Sequence, residues 1–413
     1  MEPISARDRE ILRCRAQVQL DYANAPENET ILAKWRAQAE GRCGAPPVRF
    51  LGSNFPNEVI TPRLQCEGEQ ARAIEGALLG KLVGRELFDD DTPIPPTFDM
   101  TWHTHVQPFG LQHEITRAEG PNAKGFHINP VITDLAAEID KLRGGSFGVY
   151  RESTQRHREL MEDLLGDILP VRMVMGSLQG SMTNPLVHLM GMEALYIAMY
   201  DCPEAVHEAM EMATKVYEGF YEFLEEEKLL LPTCDCAPLA QESFAFTNEL
   251  PTDTVTQTTQ CWGFLESQET TAVSPDAFGE FVFPYQQRLV DRLGLLSYGC
   301  CERVDAIWPD YLSHWTNLRK LSVAPFNDEP RVGEYLRSSR VVYYSKPRAE
   351  FVTCDGPIDD EAITTYFKGV CQAARGCLFE IAQREAGTIF GDFERGRHYV
   401  RLAKEAVGAY WSP

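Results

Sequence analysis

The sequence is short of basic charge. Against 61 Asp and Glu stand 39 Lys and Arg, a formal net charge of −22. A surface that acidic repels phosphate backbones and anionic headgroups, so neither nucleic acid nor a membrane surface is expected as a partner. No apolar run reaches the about 18 residues that span a bilayer. The amino terminus, Met1-Glu2-Pro3-Ile4-Ser5-Ala6-Arg7-Asp8, lacks the basic-then-apolar pattern of an export signal, and a cytoplasmic protein is expected. There is no GxGxxG after a strand and no GxxxxGK[ST], which sets aside dinucleotide and P-loop chemistry. An HExxH helix and a GxSxG elbow are missing too. Internal repeats and low-complexity tracts are not found.

What is present is ordinary globular material, 44% apolar and 24% charged, enough for a large packed core. Twelve cysteines without an export signal do not form a disulfide framework, and most are expected as small buried hydrophobes. Those that cluster are Cys234-Asp235-Cys236 and Cys300-Cys301. Residues 1–95 read as a helical lead-in, closed by the acidic, proline-rich Asp89-Asp90-Asp91-Thr92-Pro93-Ile94-Pro95-Pro96. From 96 to 413, short apolar runs alternate with amphipathic segments. Strands are expected at 97–102, 171–176, 229–236, 261–265, 295–300, 318–324, 341–345 and 388–390. The clearest helix follows Asp201 and Pro203, with Val206, Met210, Ala213, Tyr217, Phe220 and Leu224 at three- and four-residue steps. Such alternation predicts an α/β fold with a parallel sheet, and some eight units over about 300 residues fit a (β/α)₈ TIM barrel with an N-terminal helical extension.

Active sites of such barrels lie at the carboxyl ends of the strands. The polar residues just after each apolar run include Asp99, His103, His105, Glu266, Gln268, Glu269, Cys300, Cys301, Glu302 and Lys346. Tyr298, Cys300 and Glu302 alternate and share one face if the strand persists. Cys300, Cys301 and Glu302 could then hold zinc with an open position, or the cysteines are core fillers and Glu302 pairs with an arginine. His103 and His105 could serve one centre or the surface. Glu266 and Glu269 could bind metal, orient substrate or transfer protons, or simply cap the next helix. Trp102 and Tyr298 are candidates for a pocket wall. Asp99, His103, Glu266, Glu269, Cys300 and Lys346 are expected around one cavity.

The run Thr271-Ala272-Val273-Ser274-Pro275-Asp276-Ala277-Phe278-Gly279-Glu280-Phe281-Val282-Phe283-Pro284-Tyr285 resembles the uroporphyrinogen decarboxylase superfamily, where a Ser-Pro, a helix with spaced aromatics and a Pro-Tyr precede a strand. Tyr298-Gly299-Cys300-Cys301 stands at that family's H-x-C-G place, and Val341 to Pro347 at its Gly-Asn-x-x-Pro-like turn. The likeness covers roughly residues 95–395. The decarboxylase branch holds substrate carboxylates with an arginine-rich amino-terminal motif that this chain lacks. The resemblance therefore implies the methyltransferase branch, which uses zinc and exchanges methyl groups with a corrinoid protein. Of its zinc motif only Cys300 carries over: Tyr298 replaces the histidine, and the final strand has no cysteine. The implied activity is methyl transfer from a small O- or N-methylated substrate to the corrinoid of a partner protein. Zn²⁺ or a carboxylic acid, Glu266 or Glu269, would assist the leaving group. Asp99 and His103 join these as catalytic candidates. His105, Trp102, Tyr298, Gln268 and Lys346 are expected at the substrate, and Cys300, Cys301 and Glu302 at the metal. A homodimer is a further expectation. A decarboxylase of the same superfamily and a non-catalytic small-molecule-binding barrel are the alternatives.

Overall fold

The structure, a computed structural model, describes residues 4–42, 44–117, 125–233 and 235–413. Its strands are β1 (Val48–Phe50), β2 (Phe98–Met100), β3 (Thr104–Gln107), β4 (Glu114–Arg117), β5 (Phe126–Asn129), β6 (Ser146–Val149), β7 (Val171–Met173), β8 (Leu178–Gln179), β9 (Trp262–Leu265), β10 (Leu295–Tyr298), β11 (Leu318–Val323), β12 (Val342–Ser345) and β13 (Phe379–Gln383). Seven form one parallel sheet in the order β1-β13-β12-β11-β10-β9-β8, and β2 pairs with β7 in a separate parallel pair. The antiparallel pairs β3-β6 and β4-β5 stand apart.

The alternation expected of strand–helix units holds because β1 and β9 to β13 are buried on both faces. One face packs on helices: Leu296, Leu321, Val323, Tyr343, Phe379 and Ile381 share a cluster with Phe220, Phe278, Phe367 and Tyr399. The other face packs on a hairpin closed by the antiparallel bridge Pro238↔Phe244. Trp262 and Leu295 meet Ala237, Leu239 and Ala245 there. The hairpin tip holds two consecutive left-handed residues, Gln241 (φ 60) and Glu242 (φ 63). Strain of that kind persists only where surroundings dictate it. Here the Gln241 carbonyl accepts the Tyr344 hydroxyl (2.6 Å), and the Glu242 carbonyl accepts from Arg49.

Three expectations are corrected. The lead-in is not helical alone, because Val48–Phe50 enters the main sheet beside β13. Residues 229–236 form no strand, and the last strand is Phe379–Gln383 rather than 388–390. Residues 183–201 form two helices, Thr183–Met190 and Met192–Asp201, broken at Gly191, whose φ of +84 no helix accommodates. Residues after Ser274 likewise form two helices, Pro275–Phe281 and Phe283–Val290, because Pro284 cannot donate back into the first. Cys234, expected in the core, lies outside the described residues.

Candidate active site

β9 and β10 pair from Leu295↔Trp262 to Tyr298↔Leu265, so the chain leaves both strands side by side. Gly299 turns at φ +98, a conformation glycine takes without steric cost. That turn folds Glu302 back onto the strand ends. Its carboxylate accepts N–H bonds from Ser267 (2.9 Å) and Cys300 (2.7 Å), which ties the two loops together.

Glu266 is buried and accepts from the Ser181 hydroxyl and the Gln268 N–H (2.9 Å). Glu269, also buried, accepts from Thr183 Oγ1 (2.9 Å) and Asn184 Nδ2 (2.7 Å), both in the first turn of Thr183–Met190. Three carboxyls thus share a small desolvated volume. Burial, then the charges of Glu269 and Glu302, pushes Glu266 up to about 8, so it holds a proton at neutral pH. Burial raises Glu302 as well, against the pull of its N–H donors.

Lys346 closes the group from the end of β12. It is buried and donates to the Cys300 carbonyl (2.9 Å) and to the Gln241 side chain. The thiols of Cys300 and Cys301 lie 3.5 Å apart. A hydrogen bond from Cys300, with help from the Lys346 charge and against burial, brings Cys301 down to about 7; the same contact and burial raise Cys300.

Glu266, Gln268, Glu269, Cys300, Cys301, Glu302 and Lys346 therefore come together. Tyr298 adjoins them from behind: it is fully buried, its hydroxyl 3.0 Å from Ser267 Oγ and its ring edge-on to Trp315. It packs in the helix layer and lines no opening. Asp99, Trp102, His103 and His105 are elsewhere. Asp99 takes a bidentate bond from Arg172 (2.9 and 2.8 Å), and Trp102 lies under Arg151. His103 bonds Ser153 (2.9 Å), with His157 beyond it, and the His105 ring meets Tyr150 at a tilt. Among the described residues no hydrogen bond or ion pair joins these four to the carboxyl group cluster.

The residues present do not fit the expected zinc site. Both Glu302 oxygens are taken by backbone N–H groups, and the Cys300 thiol is turned to its neighbour. Among the described residues no three His, Cys, Asp or Glu side chains are arranged to hold a metal ion. Sequence reasoning also missed Ser181, Thr183 and Asn184, which hold the two acids. They follow the two-residue strand β8, and Gly176 and Gly180 interrupt the apolar run that would have marked its end. His188 was missed too. It lies one helical turn past Asn184, feels the Glu269 charge and meets the His113 ring at a tilt, centroids 5.3 Å apart.

No protein-family profile and no curated protein matches this chain. Among solved structures it is similar to a methyltransferase from Methanosarcina mazei, at a TM-score of 0.49 and 13% identity. The match covers 91% of this chain and 98% of that one.

Proposed function

We propose that the chain is a methyltransferase in which Glu266 is the acid that protonates the leaving atom of a small O- or N-methylated substrate. The observation that carries this is a buried carboxyl raised to about 8 among two other carboxyls at the ends of two parallel strands. An ether or amine methyl is a poor electrophile until its heteroatom is protonated, and a carboxyl kept neutral at pH 7 is suited to that. The acceptor in this reading is the reduced corrinoid of a partner protein, which supplies the electron pair for the new bond to the methyl carbon. The old bonding pair stays on the heteroatom, which takes the Glu266 proton. Ser181 and the Gln268 N–H hold the carboxylate left behind, and Glu269, fixed by Thr183 and Asn184, orients the substrate. The resemblance of 271–285 to the uroporphyrinogen decarboxylase superfamily, one branch of which is methyltransferases, supports the same reading.

The fold we propose for this site is a closed (β/α)₈ barrel. Parallel strands β1, β2, β7 with β8, and β9 to β13 make eight staves in chain order, and β1 lies beside the last. The site then opens at the carboxyl ends of the staves.

The test is formation of methylcobalamin from free cob(I)alamin, followed by absorbance, with trimethylamine, dimethylamine and 4-methoxybenzoate as donors. Glu266→Gln keeps the shape but has no proton to give. It should lower kcat about 10²- to 10³-fold while donor affinity changes little, since the leaving atom gains charge only in the transition state. Equal rates for the folded variant and the parent would remove Glu266 from the chemistry. Inactivity of the parent toward every donor would remove methyl transfer.

A further inference from the structure

A cavity of about 410 Å³ lies beside β1, the first strand in the seven-stranded order, between the helix Glu69–Phe88 and the 238–244 hairpin. None of Glu266, Glu269, Cys300, Cys301 or Lys346 lines it. Its walls are largely apolar, with Leu51, Ile60, Pro95 and Phe244 among them. The helix contributes Ala77, Gly80 and Gly84, which share one face at three- and four-residue steps. A Cβ at Gly80 would meet only Ile60 Cδ1, at 3.7 Å, so the space there is open and not required by backbone packing.

Two cations reach this space. Arg49 is only 8% exposed, yet it forms no ion pair among the described residues. Its partners are neutral: Thr92 Oγ1 (3.2 Å), the Glu242 carbonyl and the face of Phe244, 4.4 Å from the guanidinium. Lys81 makes no hydrogen bond or ion pair among the described residues. The neighbouring acids are occupied. Asp90 accepts N–H bonds from Phe50 (3.0 Å) and Thr92 (2.8 Å), and Glu242 faces Arg384 at 3.7 Å.

Buried Asp90 feels the Arg49 charge, but no carboxylate bonds the guanidinium among the described residues, and an apolar cavity with a few convergent cations is the usual form of a site for an amphiphilic anion. We propose that this cavity binds a small organic acid, its carboxylate held by Arg49 and Lys81 and its apolar body lying along Ala77 and Gly80 toward Phe244. A carboxylate there completes two charge-assisted bonds that the protein alone leaves unmade. The proposal does not depend on methyl transfer, and its test involves no turnover.

The experiment is calorimetric titration of the full chain with 4-phenylbutyrate and decanoate, each beside its neutral primary amide. The acids should bind saturably and at least about tenfold more tightly than the amides, the worth of one charged hydrogen bond. Lys81→Gln should erase most of that preference while leaving amide binding unchanged. Gly80→Leu, which fills the space without moving backbone, should abolish binding of both with no loss of thermal stability. Equal affinity for acid and amide, no saturable binding of either acid at millimolar concentration, or unaltered binding by a folded Gly80→Leu protein would each overturn the proposal.

Discussion

A single proton on Glu266 links the site to the stability of the chain. In an unfolded chain a glutamate titrates near about 4.3; buried beside Glu269 and Glu302, this one is pushed up to about 8. Between those values the folded protein holds one proton more than the unfolded one. The contribution is fully present below about 4.3 and is lost as pH rises to about 8, so stability falls across that window. Thermal unfolding at pH 5.5 and pH 8.5 should show Glu266→Gln gaining on the parent at the higher pH, because glutamine has no charge to bury. A difference that does not change with pH would mean the carboxyl is already ionised in the folded state. The proposed acid role predicts the same pH limb in kcat, rates falling as pH rises through about 8. The neighbouring thiols differ from each other in the same way. Cys301 is partly exposed and brought down to about 7, whereas Cys300 is buried and raised. Iodoacetamide near pH 7 should therefore alkylate Cys301 first, read by mass spectrometry. Cys300→Ala should slow that labelling by removing the hydrogen bond that favours the thiolate.

The hairpin and the sheet it packs on are held by a buried ion pair. Lys320 of β11 donates to Glu380 of β13 (3.0 Å) and to Ser243 of the hairpin (2.6 Å), and Ser243 in turn donates to Glu380 (2.6 Å). Desolvation lowers Lys320 while Glu380 opposes the shift, the balance expected of a pair that must be kept whole. Lys320→Met leaves Glu380 charged and unpaired in the interior and should cost about 3–5 kcal/mol in chemical unfolding. Adding Glu380→Leu should return most of that loss; a double variant no better than the single one would locate the cost in packing instead. These residues also explain what the sequence showed and hid. β9, β10, β11 and β12 were legible because their apolar runs are bounded by turn residues. β13 was not, since Phe379-Glu380-Ile381-Ala382-Gln383 carries Glu380 and Gln383 buried on the sheet, where a sequence pattern reads polar as exposed. β1 failed in the same way, three residues long with a buried arginine in the middle. For the site, strand-end reasoning brought Glu266, Glu269, Cys300 and Lys346 together correctly. It could not separate them from Asp99 and His103, because strand ends say nothing about which loops fold toward one another.

At the scale of the whole molecule the question is whether residues 1–95 are an appendage or part of the core. The contacts argue for the core. Trp35 of the helix Pro26–Ala39 stacks on Phe246 at 5.9 Å, meets Phe244 edge-on at 5.1 Å and donates to the Asp91 carbonyl (3.0 Å). Gln38 donates to the Phe379 carbonyl on β13. Asp91 and Asp90 carboxylates accept the N–H groups of Val48 (2.9 Å) and Phe50 (3.0 Å), so the acidic segment that closes the lead-in fixes β1 beside β13. The first helix, Ala6–Ala23, is clamped by Arg13–Asp167 (2.6 Å) and by Gln19 bonding the Pro95 and Thr97 carbonyls (2.9 and 3.0 Å). The exposed ion pair adds little, but the buried backbone groups would be left unsatisfied without their partners. A chain restricted to residues 96–413 would also expose the edge of β13, a template for pairing with other chains. That fragment should be insoluble or unfold without a cooperative transition, while the full chain unfolds in a single one followed by circular dichroism. A soluble 96–413 fragment unfolding within a few degrees of the full chain would show instead that the lead-in is a separate unit and that β1 is dispensable to the sheet it completes.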